Sequence, residues 1–341
     1  MLSKIKNTLE KELVRYTRRA DKLYSLNRIS PALFSHIEDF ILRRGKRIRP
    51  ILFIIGYLGF ANKPAKGLYT GALSMELIHD FILVHDDIID KSDTRRGKLS
   101  MHAMLDAYLA KHNHAKYSGK DLAIVIGDII YAMGIAAFLA IDENPGRKEK
   151  ALKKLIDAAV FTGSGEFLEL IYGSKAINKI KRGDIYKVYD LKTAVYSFAA
   201  PLSLGAMLAG ARKEEIDRLF KCGIYLGRAF QIKDDIADIL EPAKTRLIDL
   251  REAKITLLVW HACRSSGKKE RLALERVLKK NNASYSELLE AHGIIINSGA
   301  IDHAWTEINA FAKKAKAFCA SSRLREVYKK ILIKYCEELL S

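Results

Sequence analysis

The chain has 341 residues, of which 49% are hydrophobic and 29% are charged, a balance typical of folded globular proteins. This composition excludes a disordered chain, and 6 prolines with 21 glycines exclude collagen-like or proline-rich low complexity. The 58 Lys and Arg residues outnumber the 40 Asp and Glu residues, and the net charge of +18 indicates anionic partners such as phosphates, nucleic acid or a membrane surface.

Helical periodicity dominates the sequence, without a series of alternating strands bounded by turn signals. Ser30 and Pro31 predict one helix start, with Ser30 as the N-cap and Pro31 in the first helical position. The predicted helices cover residues 5–25, 31–43, 50–60, 66–91, 101–115, 120–141, 146–171, 182–192, 195–211, 213–239, 250–265, 269–280, 284–290, 298–319 and 324–340. They predict a single all-α domain over residues 1–341.

Residues 122–141 are largely apolar and long enough to span a bilayer. Asp128 interrupts this stretch and would cost roughly 2.5–3.5 kcal/mol near the bilayer centre. The favoured interpretation is therefore a buried central helix that is hydrophobic on all sides. The N-terminus lacks the apolar segment of a signal peptide, and the four cysteines form no CxxC pair, so we expect reduced thiols in a cytoplasmic protein.

Two copies of the pattern DDxxD stand out, 148 residues apart. The first comprises Asp86, Asp87 and Asp90, and the second comprises Asp234, Asp235 and Asp238. Residues four apart share a helix face, so each pattern projects carboxylates from one side of a helix. A single copy would be weak, since solvated helix faces also carry paired acids, but two copies on apolar helical backgrounds are a strong signal.

Six carboxylates around a cavity would repel each other, and hard divalent cations would relieve this repulsion. Oxygen-only ligands suit Mg²⁺, which is typically bound by one or two carboxylates together with substrate phosphates. The sequence has no competing set of His or Cys ligands, which disfavours a zinc or di-iron site.

Basic residues flank the acidic patterns, and in this context they indicate phosphate binding rather than ordinary surface charge. They are Lys46, Arg49, Arg95, Arg96, Lys192, Lys244 and Lys254. Carboxylates that hold Mg²⁺ beside cations that bind phosphate favour a diphosphate substrate.

The order of the segments GKRIRP, ELIHDFILVHDDIIDKSDTRRG, IGDII, DLKTA, GRAFQIKDDIADI and DLREAKITLL resembles the trans-isoprenyl diphosphate synthases, or polyprenyl synthetases, from about residue 40 to 262. The resemblance implies one large helical bundle around a central cavity and a homodimer. It implies head-to-tail condensation of isopentenyl diphosphate with an allylic diphosphate, with three Mg²⁺ ions as cofactors.

The resemblance also assigns roles to individual residues. Direct Mg²⁺ ligands would be Asp86, Asp90 and Asp234, and their supports would be Asp87, Asp235 and Asp238. The allylic diphosphate would be held by Arg95, Lys192 and Lys254, with Lys244 a further candidate. Isopentenyl diphosphate would be held by Lys46, Arg49, His79 and Arg96, while Thr193 and Gln231 would lie near the developing cation.

The same resemblance gives a less specific prediction of product length. Phe81 precedes Asp86 by five residues, and a bulky residue there can block the growing chain in this family. An ordinary core role for Phe81 is an equal alternative. The pattern favours a C20 product, as in a geranylgeranyl diphosphate synthase, with C15 next. Ala243 and Ala253 stand where the family often has glycine, which leaves the roles of Lys244 and Lys254 open.

Three other functions compete with this interpretation. A non-catalytic or regulatory subunit of the same fold would tend to lose the Asp patterns, and both are intact. A terpene cyclase would not need the isopentenyl diphosphate residues. A nucleic-acid-binding module is motivated only by the net charge and lacks a recognisable motif. Weak peripheral membrane contact is compatible with the main interpretation, because long prenyl products are apolar.

Overall fold

The structure is a computed structural model that describes residues 1–112, 116–242, 247–280 and 282–340, and it is helical almost throughout. The α-helices are α1 (Leu2–Tyr24), α2 (Leu26–Ile29), α3 (Pro31–Ile41), α4 (Ile48–Leu58), α5 (Leu68–Ile89), α6 (Met101–Leu109), α7 (Gly119–Leu139), α8 (Pro145–Gly173), α9 (Arg182–Tyr189), α10 (Ala200–Leu208), α11 (Lys213–Leu240), α12 (Ile248–Arg251), α13 (Leu257–Ser265), α14 (Lys268–Leu278), α15 (Tyr285–Asn297), α16 (Ala300–Ala320) and α17 (Glu326–Leu340). The prediction of an all-α fold is thereby confirmed.

Two short strands, β1 (Thr94–Arg95) and β2 (Lys98–Leu99), form an antiparallel hairpin that the helical pattern did not predict. Arg96 and Gly97 connect them with φ angles of 55° and 75°, the geometry that a tight two-residue hairpin loop requires.

Helix starts follow the expected capping chemistry. Ser30 Oγ accepts a hydrogen bond from the Leu33 N–H at 3.3 Å, with Pro31 in the first helical position, as predicted. Ser118 caps α7 in the same way and Asp121 returns the bond to the Ser118 N–H.

The contacts divide the chain into two compact units, Met1–Leu152 with Gly205–Gly210, and Lys153–Leu204 with Ala211–Ser341. The single-domain organisation of residues 1–341 remains a prediction.

Close approach of α5 and α7 organises the first unit. A Cβ on Gly127 would lie only 2.5 Å from the His85 ring, so a glycine is required where α7 passes the acidic end of α5. Leu77, Ile78 and Phe138 are fully buried between helices of this unit. The core therefore fixes the position of the last turns of α5.

The second unit is built around α11. Its core combines apolar residues of α11, α13 and α16, among them Ile232, Leu258 and Ile308. A π-helix over Asp190–Ala199 joins α9 to α10 and packs against α11. Gly227 permits this packing, because a Cβ there would lie 2.4 Å from the Ala194 Cα. The two predicted helices 182–192 and 195–211 are therefore one continuous helical segment with a π-turn.

Two further sequence expectations need correction. The predicted helix 250–265 is broken, because Ala253 adopts a left-handed φ of 54° between α12 and α13. Helix α7 is not buried on all sides, since Ile124, Val125 and Leu139 are 43%, 56% and 50% exposed.

Two helical segments, Gly119–Leu139 and Arg182–Leu208, are long and apolar enough to cross a membrane by composition alone. This is weak support for a membrane span, because core helices of soluble proteins have the same character, and most of the second segment is buried.

Candidate active site

The first Asp pattern lies at the C-terminal end of α5. Asp86 is partly exposed, Asp87 is fully buried, and Asp90 is the C-cap residue of the helix. Asp86 and Asp90 each offer a carboxylate oxygen, and these two oxygens lie within 4.8 Å of each other. Two oxygen ligands at this separation, on a partly exposed helix end, fit the coordination habits of Mg²⁺.

Asp87 has a dedicated partner. Its Oδ1 accepts hydrogen bonds from Arg95 Nε at 2.7 Å and from Arg95 Nη2. Burial raises the pKa of the Asp87 carboxyl to about 6, although the Arg95 guanidinium opposes this shift. Arg95 Nη2 also lies 3.7 Å from Asp86 Oδ2. The hairpin β1–β2 thus delivers one guanidinium to two carboxylates of the pattern.

The second Asp pattern lies in the last turns of α11. Asp234 is exposed, while Asp235 and Asp238 are buried. Asp235 accepts hydrogen bonds from the Tyr189 hydroxyl and from Gln231 Nε2, the latter at 2.9 Å. Burial raises the pKa of Asp235 to about 7, and these two donors oppose the shift.

Backbone groups complete the support of the second pattern. Asp238 Oδ2 accepts a hydrogen bond from the Asp249 N–H at 3.3 Å. The Tyr189 hydroxyl in turn accepts one from the Leu257 N–H at 2.8 Å, which ties the start of α13 to the pattern. Burial beside Asp235 and Asp238 holds the pKa of the Asp249 carboxyl well above its usual range.

Two lysines of the second unit lie beside acids, and two of its polar residues contact each other. Lys192 Nζ lies 2.6 Å from both Glu166 and Glu169, and Lys254 Nζ lies 3.9 Å from Asp249. Thr193 Oγ1 donates to Gln231 Oε1 at 2.5 Å, so the two polar residues expected near the developing cation are in contact. Lys244 lies outside the described residues.

The residues expected to hold isopentenyl diphosphate gather around His79. Burial and the nearby cations Arg49 and Arg96 hold the His79 pKa well below its usual range, so its imidazole is neutral at neutral pH. A Cβ on Gly45 would lie 3.6 Å from the Arg96 guanidinium, which places the segment that carries Lys46 beside Arg96.

Sequence reasoning missed several charged residues. Arg47 is buried, and it donates to Glu76 at 2.6 Å, to Glu10 at 2.9 Å and to the Arg43 carbonyl at 2.7 Å. It therefore holds the first unit together. In the second unit the missed acids are Glu166, Glu169 and Asp249. Only the spacing of Glu166 and Glu169, one helical turn apart, was visible as a signal.

Phe81 is partly exposed on α5. Its ring centroid lies 5.1 Å from that of Tyr131 on α7 and 4.7 Å from that of His85. His85 Nδ1 also lies 3.1 Å from the Phe81 carbonyl oxygen, so the imidazole packs against the preceding turn of α5.

Comparison with known proteins gives a consistent result. The sequence model of the polyprenyl synthetase family matches residues 30–295. A short chain isoprenyl diphosphate synthase of Methanocaldococcus jannaschii is 29% identical over 85% of this chain and 82% of its own. A geranylfarnesyl diphosphate synthase of Aeropyrum pernix is 30% identical over 80% and 82%.

A solved structure of similar fold is geranylgeranyl pyrophosphate synthase from Corynebacterium glutamicum, complexed with isoprenyl diphosphate and magnesium. It superposes with a TM-score of 0.89 at 25% identity and covers 100% of this chain and 99% of its own. Family match, relatives and fold agree, and the chain therefore belongs to the polyprenyl synthetase family of trans-prenyltransferases.

Proposed function

We propose that the protein condenses isopentenyl diphosphate head-to-tail with an allylic diphosphate and releases an all-trans C20 prenyl diphosphate, with C15 as the next product. The observation that carries this proposal is the shared construction of the two Asp patterns. In each, a buried central carboxyl has its own donor, Arg95 or Tyr189, and the Asp that precedes it is more exposed to solvent.

Asp86, Asp90 and Asp234 are the proposed Mg²⁺ ligands, and the proposed number of ions is three. Magnesium bound there would stabilise the negative charge of the departing diphosphate. Arg95, Lys192 and Lys254 would hold the allylic diphosphate, and Lys244 remains a candidate on sequence grounds alone. Removal of Mg²⁺ with EDTA should abolish turnover, and an excess of Mg²⁺ should restore it.

The other residues of the proposed site orient the second substrate. Lys46, Arg49, neutral His79 and Arg96 would bind isopentenyl diphosphate so that its double bond faces the allylic carbon. As the allylic carbon–oxygen bond breaks, a carbon–carbon bond forms, and the released diphosphate takes the proton that is lost. Thr193 and Gln231 would direct their oxygen atoms towards the developing cation.

The test is an assay of the purified protein with Mg²⁺, isopentenyl diphosphate and, separately, C5, C10 and C15 allylic primers, with products read by mass spectrometry. Prenyl diphosphates that stop at one length are expected. Release of diphosphate with a hydrocarbon would favour a terpene cyclase. Folded protein without turnover on any primer would favour a subunit that needs a partner.

Product length gives a sharper test of the proposed role of Phe81. Its ring contacts Tyr131, so both rings should limit the space for the growing chain. Phe81→Ala and Tyr131→Ala should each lengthen the main product by about one C5 unit, since each removes an aromatic ring from the space available. Leu83→Ala removes a buried side chain of the same helix and serves as the control, with unchanged product length.

A cytoplasmic homodimer is the proposed state of assembly. Helix α7 exposes Val125, and α8 exposes Val160 and Phe167, at 56%, 60% and 63%. Such exposed apolar side chains indicate a protein or membrane contact. Light scattering should give twice the chain mass, and Val125→Glu with Phe167→Glu should give a monomer. Leu272→Glu, at a 53% exposed position of α14, is the matched control.

A further inference from the structure

Asp80 is a buried carboxyl that has no role in the reaction proposed above. It follows His79 on α5, its side chain is completely inaccessible to solvent, and no described group donates a hydrogen bond to either carboxylate oxygen. A buried carboxyl without hydrogen-bond donors is destabilising, so its presence here calls for a physical reason.

Charged groups face Asp80 from several elements. Glu76 lies one turn earlier on α5, Arg96 is on the hairpin loop, and Arg47 and Arg49 are at the start of α4. Burial and the negative charge of Glu76 raise the pKa of Asp80 to about 8, and the three arginines only partly oppose this. Neutral His79 adds no charge to the group.

Arg96 is the direct neighbour of Asp80, and it is loosely held. Its Nη1 lies 3.3 Å from Asp80 Oδ1 without hydrogen-bond geometry, and its Nη2 reaches Glu76 Oε1 at a long 3.4 Å. Glu76 Oε1 already accepts from Arg47 at 2.6 Å. The side chain of Arg96 is 17% exposed, so a phosphate can approach a guanidinium whose donors are incompletely used.

We propose that Asp80 is a positioning residue that aligns Arg96 for isopentenyl diphosphate and takes up a proton from solvent when the diphosphate binds. This inference rests on the proposed function, which assigns Arg96 to that substrate. With Asp80 neutral, the full charge of Arg96 is available to the diphosphate. With Asp80 ionised, its carboxylate competes for the same guanidinium and repels the substrate.

The first experiment measures KM for isopentenyl diphosphate between pH 7.5 and 9, where the charge of the substrate is constant because phosphate monoesters titrate near pH 6. One coupled proton should raise this KM roughly tenfold across the range. The KM of the allylic diphosphate should change little. A flat profile for isopentenyl diphosphate in the wild-type enzyme would overturn the inference, whatever the behaviour of any variant.

Asp80→Asn preserves the shape of the side chain and removes its proton equilibrium. Its KM for isopentenyl diphosphate should be independent of pH in this range, while kcat is largely retained. Glu215→Gln is the matched control, since Glu215 is also buried and paired with an arginine, Arg218. It should keep the wild-type profile. The same pH dependence in Asp80→Asn as in wild type would refute the role of Asp80.

A binding measurement separates this inference from the proposed function. Calorimetric titration with isopentenyl diphosphate, which is fully ionised at pH 8, in EDTA and in two buffers of different ionisation enthalpy, reports protons taken up by the protein on binding. Wild type should take up a substantial fraction of a proton, and Asp80→Asn should take up none. Equal uptake by both, or no binding, contradicts the inference. Absence of turnover with every primer contradicts the proposed function instead.

Discussion

The two Asp patterns have the same spacing but differ in how the central carboxyl is held. Asp87 in the first pattern is paired with a cation, Arg95, on a short hairpin. Asp235 in the second is held by neutral donors, the Tyr189 hydroxyl and the Gln231 amide. The comparison teaches that a pattern of acids in sequence does not fix the charge of the group it forms, because partners from other elements decide it.

The largest loss of activity should follow from replacing the first acid of each pattern. Asp86→Ala and Asp234→Ala should each reduce kcat roughly a thousandfold, since a lost metal ligand removes several kcal/mol of stabilisation of the departing charge. Both variants should remain folded by circular dichroism. Asp93→Ala, at an 84% exposed side chain near the first pattern, is the control and should be nearly as active as wild type. Near-normal turnover in either pattern variant would exclude Mg²⁺ binding by that acid.

Replacing Arg95 and Tyr189, the partners of the two central carboxyls, should affect catalysis differently in the two patterns. Arg95→Met removes a charge proposed to bind diphosphate and should lower kcat about a hundredfold, with partial recovery in Arg95→Lys. Tyr189→Phe removes only a neutral donor and should weaken the apparent Mg²⁺ affinity about tenfold. It should also reduce the free energy of unfolding by about 1–3 kcal/mol, because the buried Leu257 N–H loses its acceptor. Equal kinetic losses would mean that the two supports are equivalent.

The pH dependence of Mg²⁺ binding should reveal a smaller difference between the two patterns. The pKa values of Asp87 and Asp235 are raised to about 6 and about 7, so on acidification Asp235 takes up its proton first. The apparent Kd for Mg²⁺ should therefore rise by up to about tenfold per unit as the pH falls below 7. Tyr189→Phe should move this rise to higher pH, since the hydroxyl favours the ionised carboxyl. An unshifted profile would show that Asp235 does not control Mg²⁺ binding.

The smallest expected effect concerns the connection between α12 and α13 in the second unit. The left-handed φ of 54° at Ala253 is unfavourable by roughly 1 kcal/mol for a residue with a Cβ, and glycine avoids this strain. Ala253→Gly should therefore raise the free energy of unfolding by about 0.5–1 kcal/mol in a urea titration. Ala262→Gly, in the middle of α13, should lower it, because glycine weakens a helix interior. A destabilised Ala253→Gly would mean that the alanine methyl makes a compensating contact.

The helices of the fold were predictable because their apolar periodicity is long and their caps are explicit, as at Ser30. The hairpin was missed because β1 and β2 have two residues each, too few for an alternating pattern. The exposed face of α7 was missed because its apolar residues continue around the helix, so periodicity cannot show which side is covered.

The candidate site was also predictable only in part. The Asp patterns were visible because their members are close in sequence. Their partners were not, since Tyr189 is 46 residues from Asp235 and Glu76 is 29 residues from Arg47. Burial and pKa depend on such distant contacts, so Asp80 gave no signal in the sequence.

The π-helix at Asp190–Ala199 has a consequence for how this segment tolerates change. Each residue turns an α-helix by about 100°, and the wider π-turn absorbs a residue that an α-helix of equal length would not hold. Deleting one residue there would rotate the segment on one side of the deletion by about 100°, which would break the contacts of Lys192 with Glu166 and Glu169 or the contact of Thr193 with Gln231 on α11. Length, more than the identity of any side chain, is what natural variation should conserve across these ten positions.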